Sequence, residues 1–151
     1  MEEIIQLNNQ AKLSEHFVLG EFTRSASHPE VYNIPSHEAI ANLKRLCIWL
    51  EVLRERSGGP IRINSGYRSP QLNRAIHGNA NSNHMTGCAC DIRVSGMEQA
   101  LRYAVILLDY ADESKQEFDE LLIEKNRYGA IWVHFAVRPS NNRRKITFIN
   151  A

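Results

Sequence analysis

The sequence predicts an α+β fold, with a small antiparallel sheet packed against helices. Segments with helical periodicity dominate the first part of the chain, and adjacent strand-like segments follow in the second. This order is typical of α+β proteins, whereas regular alternation of strands and helices would indicate a parallel sheet. A length of 151 residues is sufficient for one domain with a substantial core. We therefore expect one domain over residues 1–151, in which residues 1–12 form an N-terminal extension.

Two helices are predicted in the first third of the chain, a brief one over residues 19–23 and a long one over about residues 36–56. Ser36 is a favourable N-cap for the long helix, and Glu38 lies in its first turn, where the helix dipole favours negative charge. A Gly-Gly-Pro sequence at residues 58–60 ends it. Apolar residues recur at steps of three and four and form one face, made of Ile40, Leu43, Leu46, Cys47, Leu50 and Leu53.

The middle of the chain predicts two short strands separated by a helix and a loop. Residues 61–65 alternate between apolar and polar and indicate a strand. A Ser-Pro pair then opens a short helix over residues 71–76. Residues 77–83 are rich in Gly and Asn and indicate a loop, which leads to the next strand over residues 88–94.

The last third predicts one helix and two adjacent strands, with a further edge strand at the end. The strands cover residues 118–124 and 130–137, and the edge strand covers residues 145–149. A helix over residues 97–110 precedes them and is followed by a charged turn. The expected apolar face of this helix consists of Ala100, Leu101, Ala104, Val105 and Leu108.

Composition argues against several classes of function. A formal net charge of +1 does not fit a nucleic-acid-binding domain, which usually carries a clear basic excess. No apolar run is long enough for a transmembrane segment. Residues 1–13 are acidic and do not resemble a signal peptide, so we expect a protein that is cytoplasmic as synthesised. Work outside the cytoplasm would then require another route or release on lysis.

Two histidines and one aspartate form a set of potential metal ligands. On a strand over residues 88–94, Asp91 faces away from Cys88 and Cys90, so it can face a cleft while the cysteines point into the core. His84 lies in the loop before this strand, and His134 lies in a later apolar strand. Two imidazoles and a carboxylate suit zinc and leave one coordination position open for water.

Two other interpretations of these residues remain open from spacing alone. A lone histidine in an apolar segment, such as His134, is often a hydrogen-bonded core residue. A different zinc site could combine His84 with Cys88 and Cys90. The two cysteines of Cys-x-Cys are very closely spaced as ligands, however, and the motif lacks the paired Cys-containing turns that are typical of structural zinc.

Three motifs in order resemble the zinc D-alanyl-D-alanine carboxypeptidase family, which also includes D,D-dipeptidases and L-alanyl-D-glutamate endopeptidases. The first motif resembles the S-G-Y-R-S element of the family, the second its S-x-H-x-x-G-x-A-x-D signature and the third its W-x-H element. The resemblance extends from about Leu13 to the final strand. In this chain the motifs are residues 65–69 (SGYRS), residues 82–91 (SNHMTGCACD) and residues 132–134 (WVH).

This resemblance implies a compact α+β fold similar to that of the hedgehog signalling domain and the DD-peptidases. It implies one zinc ion per chain, bound by the residues that match its ligands, which are His84, Asp91 and His134. Arg68 matches the arginine that engages substrate near the scissile bond, and Ser82 and Tyr67 match positions on the substrate side of the pocket. The implied partner is a stem peptide of bacterial peptidoglycan, cut at D-Ala-D-Ala or at L-Ala-D-Glu. We expect a monomer.

The general base departs from the pattern of many family members. They carry an acidic residue three positions before the last histidine, and this chain has Ile131 there. Glu124 is the better candidate, because it would lie on the strand next to His134 and across an antiparallel pair from it. Glu120 shares the strand face of Glu124 and is the weaker choice.

The resulting hypothesis is a zinc metallopeptidase that uses Glu124 as the base and Arg68 to stabilise the oxyanion. Two alternatives belong to other classes of protein. One is a catalytically inactive, zinc-containing module that binds peptides or cell wall, which the missing acid at Ile131 would favour. The other is a structural component that kept the fold without the chemistry.

Overall fold

The computed structural model of the chain describes residues 8–25 and 27–151. Of the N-terminal extension expected over residues 1–12, the first seven residues lie outside the described part. None of the helices in the described part combines the length and the apolarity that a membrane crossing requires. The elements in chain order are α1 (Gly20–Thr23), α2 (His37–Ser57), β1 (Ile63–Ser65), α3 (Pro70–Ala75), a 3-10 helix (Asn83–Thr86), β2 (Ala89–Arg93), α4 (Met97–Ser114), β3 (Glu120–Lys125), β4 (Ile131–Ala136) and β5 (Lys145–Asn150).

The strands form one five-stranded sheet in the order β1-β2-β4-β3-β5, which confirms the α+β class. The first four strands pair antiparallel, as expected. Strand β5 instead pairs parallel with β3, so the sheet is mixed. Strand β4 already pairs with β2 and β3. The segment after β4 therefore crosses β3, and β5 pairs with the free edge of β3.

Local signals in the sequence account for both ends of α2 and for the start of α3. The side chain of Ser36 accepts a hydrogen bond from the backbone N–H of Ala39 and caps α2, and Gly58 ends α2 in the left-handed conformation with φ of 77°. Ser69 caps α3 in the same way, by accepting from the N–H of Leu72. These caps fix where α2 begins and ends and where α3 begins.

The two faces of the sheet have different chemistry because side chains alternate along each strand. One face carries the buried apolar side chains of β2, β3 and β4 and packs against α2 and α4. Trp49 of α2 is buried at the centre of this layer, with ring centroids 4.9 Å from Tyr110 and 5.3 Å from Phe135. The opposite face carries Asp91, His134 and the two glutamates of β3, and it is therefore the polar face of the sheet.

The expected core face of α4 was right for Ala100, Ala104 and Leu108 and wrong for Leu101 and Val105. Leu101 and Val105 are 45% and 55% exposed, and the helix continues to Ser114 instead of ending at residue 110. Apolar side chains occupy much of the circumference of this helix, so periodicity alone did not select the face that packs on α2 and the sheet. The buried residues follow a three- and four-residue step and are Ala100, Tyr103, Leu107 and Ala111.

A buried carboxylate, Asp119, fastens the segment between β4 and β5 to the rest of the fold. It accepts hydrogen bonds from the backbone N–H of Arg143 at 3.0 Å and from Nε and Nη2 of the same residue at 3.0 and 2.8 Å. Nδ2 of Asn83 donates to it at 2.8 Å, and Nε of Arg138 lies 3.2 Å away. Burial by itself would raise the pKa of Asp119, but the bonds from Arg143 and Asn83 lower it to about 2.

We expect Asp119→Asn to lower the free energy of unfolding at pH 7 by about 1–3 kcal/mol, because it removes hydrogen bonds to a charged group. The folded pKa is lower than the value of about 3.9 in an unfolded chain. The carboxylate therefore stabilises the fold above pH 4, and this contribution is lost as the pH falls from about 4 to 2. Urea denaturation followed at pH 7 and at points down to pH 2 measures both effects.

Asp112→Asn is the matched control, because Asp112 pairs with Arg144 at the surface with its side chain 69% exposed. Its loss should cost less than about 1 kcal/mol. Equal losses for the two variants, or a wild-type acid dependence no steeper than that of Asp119→Asn, would contradict the role given to Asp119.

Candidate metal centre

Three side chains from three separate elements converge on the polar face of the sheet. His84 comes from the 3-10 helix, Asp91 from β2 and His134 from β4. One potential ligand atom of each lies within 4.8 Å of the others, and all three residues are buried. Within residues 8–25 and 27–151, no other group of three such residues meets this criterion.

Strand pairing places two of these residues directly opposite each other. In the antiparallel pair β2–β4, Asp91 is in register with His134. Directly opposed side chains on one face are the closest neighbours in a sheet. Oδ1 of Asp91 accordingly lies 3.0 Å from Nδ1 of His134. A shift of register by one residue would send one of them to the apolar face.

The orientation of His84 is fixed by the backbone around it. The N–H of His84 donates to the side chain of Ser82, which caps the 3-10 helix. Its ring Nδ1 lies 2.7 Å from the carbonyl oxygen of Gly66, which can only accept. Nδ1 therefore carries a proton, and Nε2, which lies 3.3 Å from Oδ1 of Asp91, is the nitrogen that a metal ion would bind.

Gly66 can hold His84 in this way only because it lacks a side chain. A Cβ at this position would lie 2.7 Å from the backbone and Cβ of Phe22 in α1. The close approach of these two segments also allows the N–H of Tyr67 to donate to the carbonyl of Phe22 at 2.7 Å. The glycine in the first motif thus serves the metal centre through its carbonyl group.

The orientation of His134 is fixed by a carboxylate. Its Nε2 lies 3.0 Å from Oε1 of Glu120, which fixes the proton on Nε2 and leaves Nδ1, 3.0 Å from Oδ1 of Asp91, as the nitrogen that a metal ion would bind in place of a proton. Nδ2 of Asn83 donates to the same Oε1 at 2.6 Å and holds Glu120 in place. Histidine ligands of metals usually donate their second N–H to such a carboxylate or carbonyl.

The geometry of this donor set fits zinc. Zinc bonds to nitrogen and oxygen are about 2.0–2.2 Å long, so two neighbouring ligand atoms in a tetrahedral site are about 3.3 Å apart. Oδ1 of Asp91 lies 3.3 Å from His84 Nε2 and 3.0 Å from His134 Nδ1. The two imidazoles and the carboxylate could therefore hold one ion and leave a further coordination position on the side of the cleft.

The electrostatics of the centre favour a cation. Burial by itself would raise the pKa of Asp91, but His84 and His134 hold it well below its usual range. Burial lowers the pKa of His134, whereas Asp91 and Glu120 raise it to about 10. The two carboxylates thus stabilise positive charge at this position, whether it is carried by protons or by a metal ion.

The centre opens into a cleft of about 670 Å³ that contains most of the other residues predicted from the sequence. Arg68, Ser82 and Glu124 line it together with the three potential ligands. Tyr67 does not line the cleft and is instead buried in the hydrophobic core. The structure therefore brings six of the seven predicted site residues together.

Arg68 is held by several partners at the edge of the centre. Its Nη2 lies 3.4 Å from Oδ2 of Asp91, its Nε donates to Ser65 at 3.2 Å, and its Nη1 lies 3.5 Å from Oδ1 of Asn73. Its side chain is 14% exposed. A guanidinium has five N–H donors, so two remain for a ligand in the cleft.

Two glutamates of β3 flank His134. Leu122 is directly opposite His134 across the β3–β4 pair, so Glu120 and Glu124 are its two diagonal neighbours. Glu120 contacts His134, whereas Oε2 of Glu124 accepts from the indole N–H of Trp132 at 2.5 Å. The sequence predicted the shared face of the two acids but not this division of contacts.

Neither the cysteines nor the second large cleft offers another site of this kind. Cys88 and Cys90 are 2% and 0% exposed and are not disulfide-bonded; Cys90 lies in the apolar core, and Cys88 precedes β2 and is buried outside that core cluster. A second cleft, also of about 670 Å³, lies between α2 and α4, where Leu101 and Val105 are exposed. It contains no group of potential metal ligands among the described residues.

Comparison with known families agrees with the motifs. A family model described as Peptidase M15 matches residues 15–121 of the chain. This is the family of zinc D-Ala-D-Ala carboxypeptidases and related peptidoglycan metallopeptidases. The match includes Arg68, Ser82, His84 and Asp91 and ends before Glu124 and His134. A search of curated proteins found no match.

We expect the protein to bind one zinc ion per chain. His84→Ala and His134→Ala should each weaken zinc binding by more than about 100-fold, and Glu120→Gln should weaken it by about 10- to 100-fold. Competition with a chromophoric chelator and elemental analysis measure these effects. Affinity should fall as the pH falls, because protons compete for both imidazoles. His28→Ala is the control, because the ring of His28 lies at the surface against Ser27. An equal loss of zinc affinity in this variant would count against the assignment of His84 and His134 as ligands.

We expect Gly66→Ala to reduce zinc affinity by about 10- to 100-fold, because the new Cβ would push the carbonyl of residue 66 away from His84. Crowding against Phe22 should also cost about 1–3 kcal/mol of stability. Gly59→Ala is the matched control, because nothing lies within 4 Å of a Cβ there. Unchanged affinity and stability in Gly66→Ala would show that its carbonyl does not position His84.

Proposed function

The chain belongs to the peptidase M15 family, and from this we propose that it is a zinc-dependent peptidase that hydrolyses amide bonds in the stem peptides of bacterial peptidoglycan. The convergence of His84, Asp91 and His134 at the bottom of an open cleft carries this proposal. Three protein ligands with one free position are typical of catalytic zinc sites, whereas structural sites use four protein ligands. Zinc bound there would supply Lewis acidity, which activates a water molecule and polarises the scissile carbonyl group.

We assign the general base to Glu124. Its carboxylate lines the cleft, and the indole of Trp132 holds one of its oxygens, which leaves the other free to take a proton from the attacking water. The same carboxyl group would then return the proton to the leaving amine. Its charge also acts on Arg68 across the cleft: burial lowers the pKa of this arginine, and Asp91 and Glu124 oppose that effect.

Glu120 is the alternative base, but its contacts favour a positioning role. Oε1 of Glu120 already accepts from both His134 and Asn83. Its second oxygen lies 3.5 Å from the guanidinium of Arg143. A carboxylate with these partners is well placed to orient His134 and poorly placed to collect a proton from water.

Arg68 and Ser82 would act on the substrate. The free N–H groups of Arg68 could stabilise the oxyanion that develops on the carbonyl group, or bind a substrate carboxylate. Ser82 lines the same cleft next to His84 and could hydrogen-bond the peptide. The bond that is cut would be D-Ala-D-Ala in a carboxypeptidase or L-Ala-D-Glu in an endopeptidase.

We expect Glu124→Gln to lower kcat for stem-peptide hydrolysis by about 10²- to 10⁴-fold, the usual contribution of a general base, with zinc still bound. Glu120→Gln should instead act mainly through weaker zinc binding, so excess zinc should restore much of its activity. Digestion of purified muropeptides, with mass spectrometry of the products, measures both variants and identifies the bond that is cut. His84→Ala serves as the inactive reference.

Full activity of Glu124→Gln would rule out its role as the base, and a loss in Glu120→Gln that zinc does not restore would transfer that role to Glu120. A wild-type protein that holds zinc but releases neither D-Ala nor split stem peptides would overturn the peptidase proposal. The zinc-containing binding module would then be the better description.

A further inference from the structure

We propose that Arg138, Arg143 and Lys145 form a binding site for a carboxylate group of the substrate, next to the metal centre. This inference rests on the proposed function, because the carboxylate would belong to the peptide that is cut. The three residues come from a single stretch that links β4 to the first residue of β5. All three line the cleft into which the metal centre opens.

The register of the sheet places this cationic group on one defined side of His134. Lys145 is paired with Glu120 across the parallel pair β3–β5, and Arg143 approaches Glu120 to 3.5 Å. Glu124 is four residues further along β3, which is about 13 Å in an extended strand. The cations therefore lie at the Glu120 end of the cleft, and Glu124 marks the other end.

The two arginines are held in place before any ligand arrives. Asp119, whose side chain is 0% exposed, binds Nε and Nη2 of Arg143, and it lies 3.2 Å from Nε of Arg138. Nε of Arg138 also donates to Oδ1 of Asn83 at 2.9 Å. Nη1 of Arg143 and both terminal nitrogens of Arg138 make no hydrogen bond within the described part of the chain. These N–H groups are preorganised donors at the cleft.

The charges of this cluster are not balanced. Three cations, Arg138, Arg143 and Lys145, face two carboxylates, Asp119 and Glu120, and Glu120 also contacts His134. No acidic group in the described residues lies within 4.0 Å of the amine of Lys145. Arginine forks with free N–H groups suit a planar carboxylate, and a neighbouring lysine adds a point charge. An anionic group of the substrate would complete the balance.

A stem peptide offers two carboxylates that could bind here. One is the C-terminal carboxylate, and the other is the free carboxylate of an internal D-Glu residue. The first would place the cluster on the leaving-group side of a carboxypeptidase. The second would fit an endopeptidase that cuts next to the acidic residue.

The test compares four forms of one synthetic stem peptide that contains both L-Ala-D-Glu and D-Ala-D-Ala bonds: both carboxylates free, either one amidated, or both amidated. The zinc-loaded full chain should cleave an acidic form with a kcat/KM at least about fivefold higher than the doubly amidated form. Lys145→Ala should reduce this ratio by about three- to fivefold, and Lys145→Glu should reduce it further. The carboxylate whose amidation abolishes the preference for the acidic peptide is the one that binds at this site.

Lys125→Ala and Lys125→Glu are the matched controls, because Lys125 is exposed on the neighbouring strand β3 and does not line the cleft. They should leave the ratio unchanged. A wild-type enzyme that cleaves all four peptides equally, or Lys145 variants with an unchanged ratio, would overturn the carboxylate site and leave the peptidase proposal intact.

If no peptide is cleaved, the peptidase proposal fails, and measurements of peptide binding then test the carboxylate site separately. The dissociation constants of the same four peptides, measured by calorimetry with the zinc-loaded protein, should then show the same preference for an acidic form. Lys145→Glu should weaken that preference by about fivefold or more. Equal dissociation constants for acidic and doubly amidated peptides would overturn the carboxylate site in this case too.

Discussion

A buried aspartate in contact with two buried imidazoles is the constraint on which the rest of this structure depends. A carboxylate removed from water is costly unless it is paired, and Asp91 is 8% exposed. Two histidines and Arg68 surround it, so the cost is offset by positive charge and hydrogen bonds. The same arrangement makes the centre receptive to a divalent cation, because Oδ1 of Asp91 lies at a zinc-compatible distance from one ring nitrogen of each histidine.

The parts that support this centre are spread over the whole fold. Gly66 holds one imidazole through a backbone carbonyl, and Glu120 holds the other through its side chain. Glu120 is in turn bonded to Asn83, which is bonded to the buried Asp119. Asp119 fastens the segment that leads into β5. The last strand of the sheet and the metal ligands thus belong to one hydrogen-bonded network. A substitution in either part should therefore alter the geometry of the other.

The register of β3 against β4 makes the two ends of the cleft chemically different. His134 lies between two glutamates that face the same way but have different partners. On one side are Glu124, Trp132 and the charge of Arg68, and on the other are Glu120 and the cations that Asp119 holds. A peptide lying across the centre would therefore meet a different environment on each side of the scissile bond, which is what a peptidase needs in order to choose its substrate and its orientation.

The sequence by itself determined the elements whose signals are local, and only the tertiary structure decided the features that depend on distant neighbours. Caps at Ser36 and Ser69 predicted α2 and α3, the alternation along β2 predicted that Cys90 points into the core, and three spaced motifs predicted the potential ligands. The packed face of α4, the parallel pairing of β5, the core position of Tyr67 and the contact of Glu120 with His134 were not predictable in this way. Each depends on which of several compatible surfaces another segment covers, and neither periodicity nor spacing within one segment contains that information.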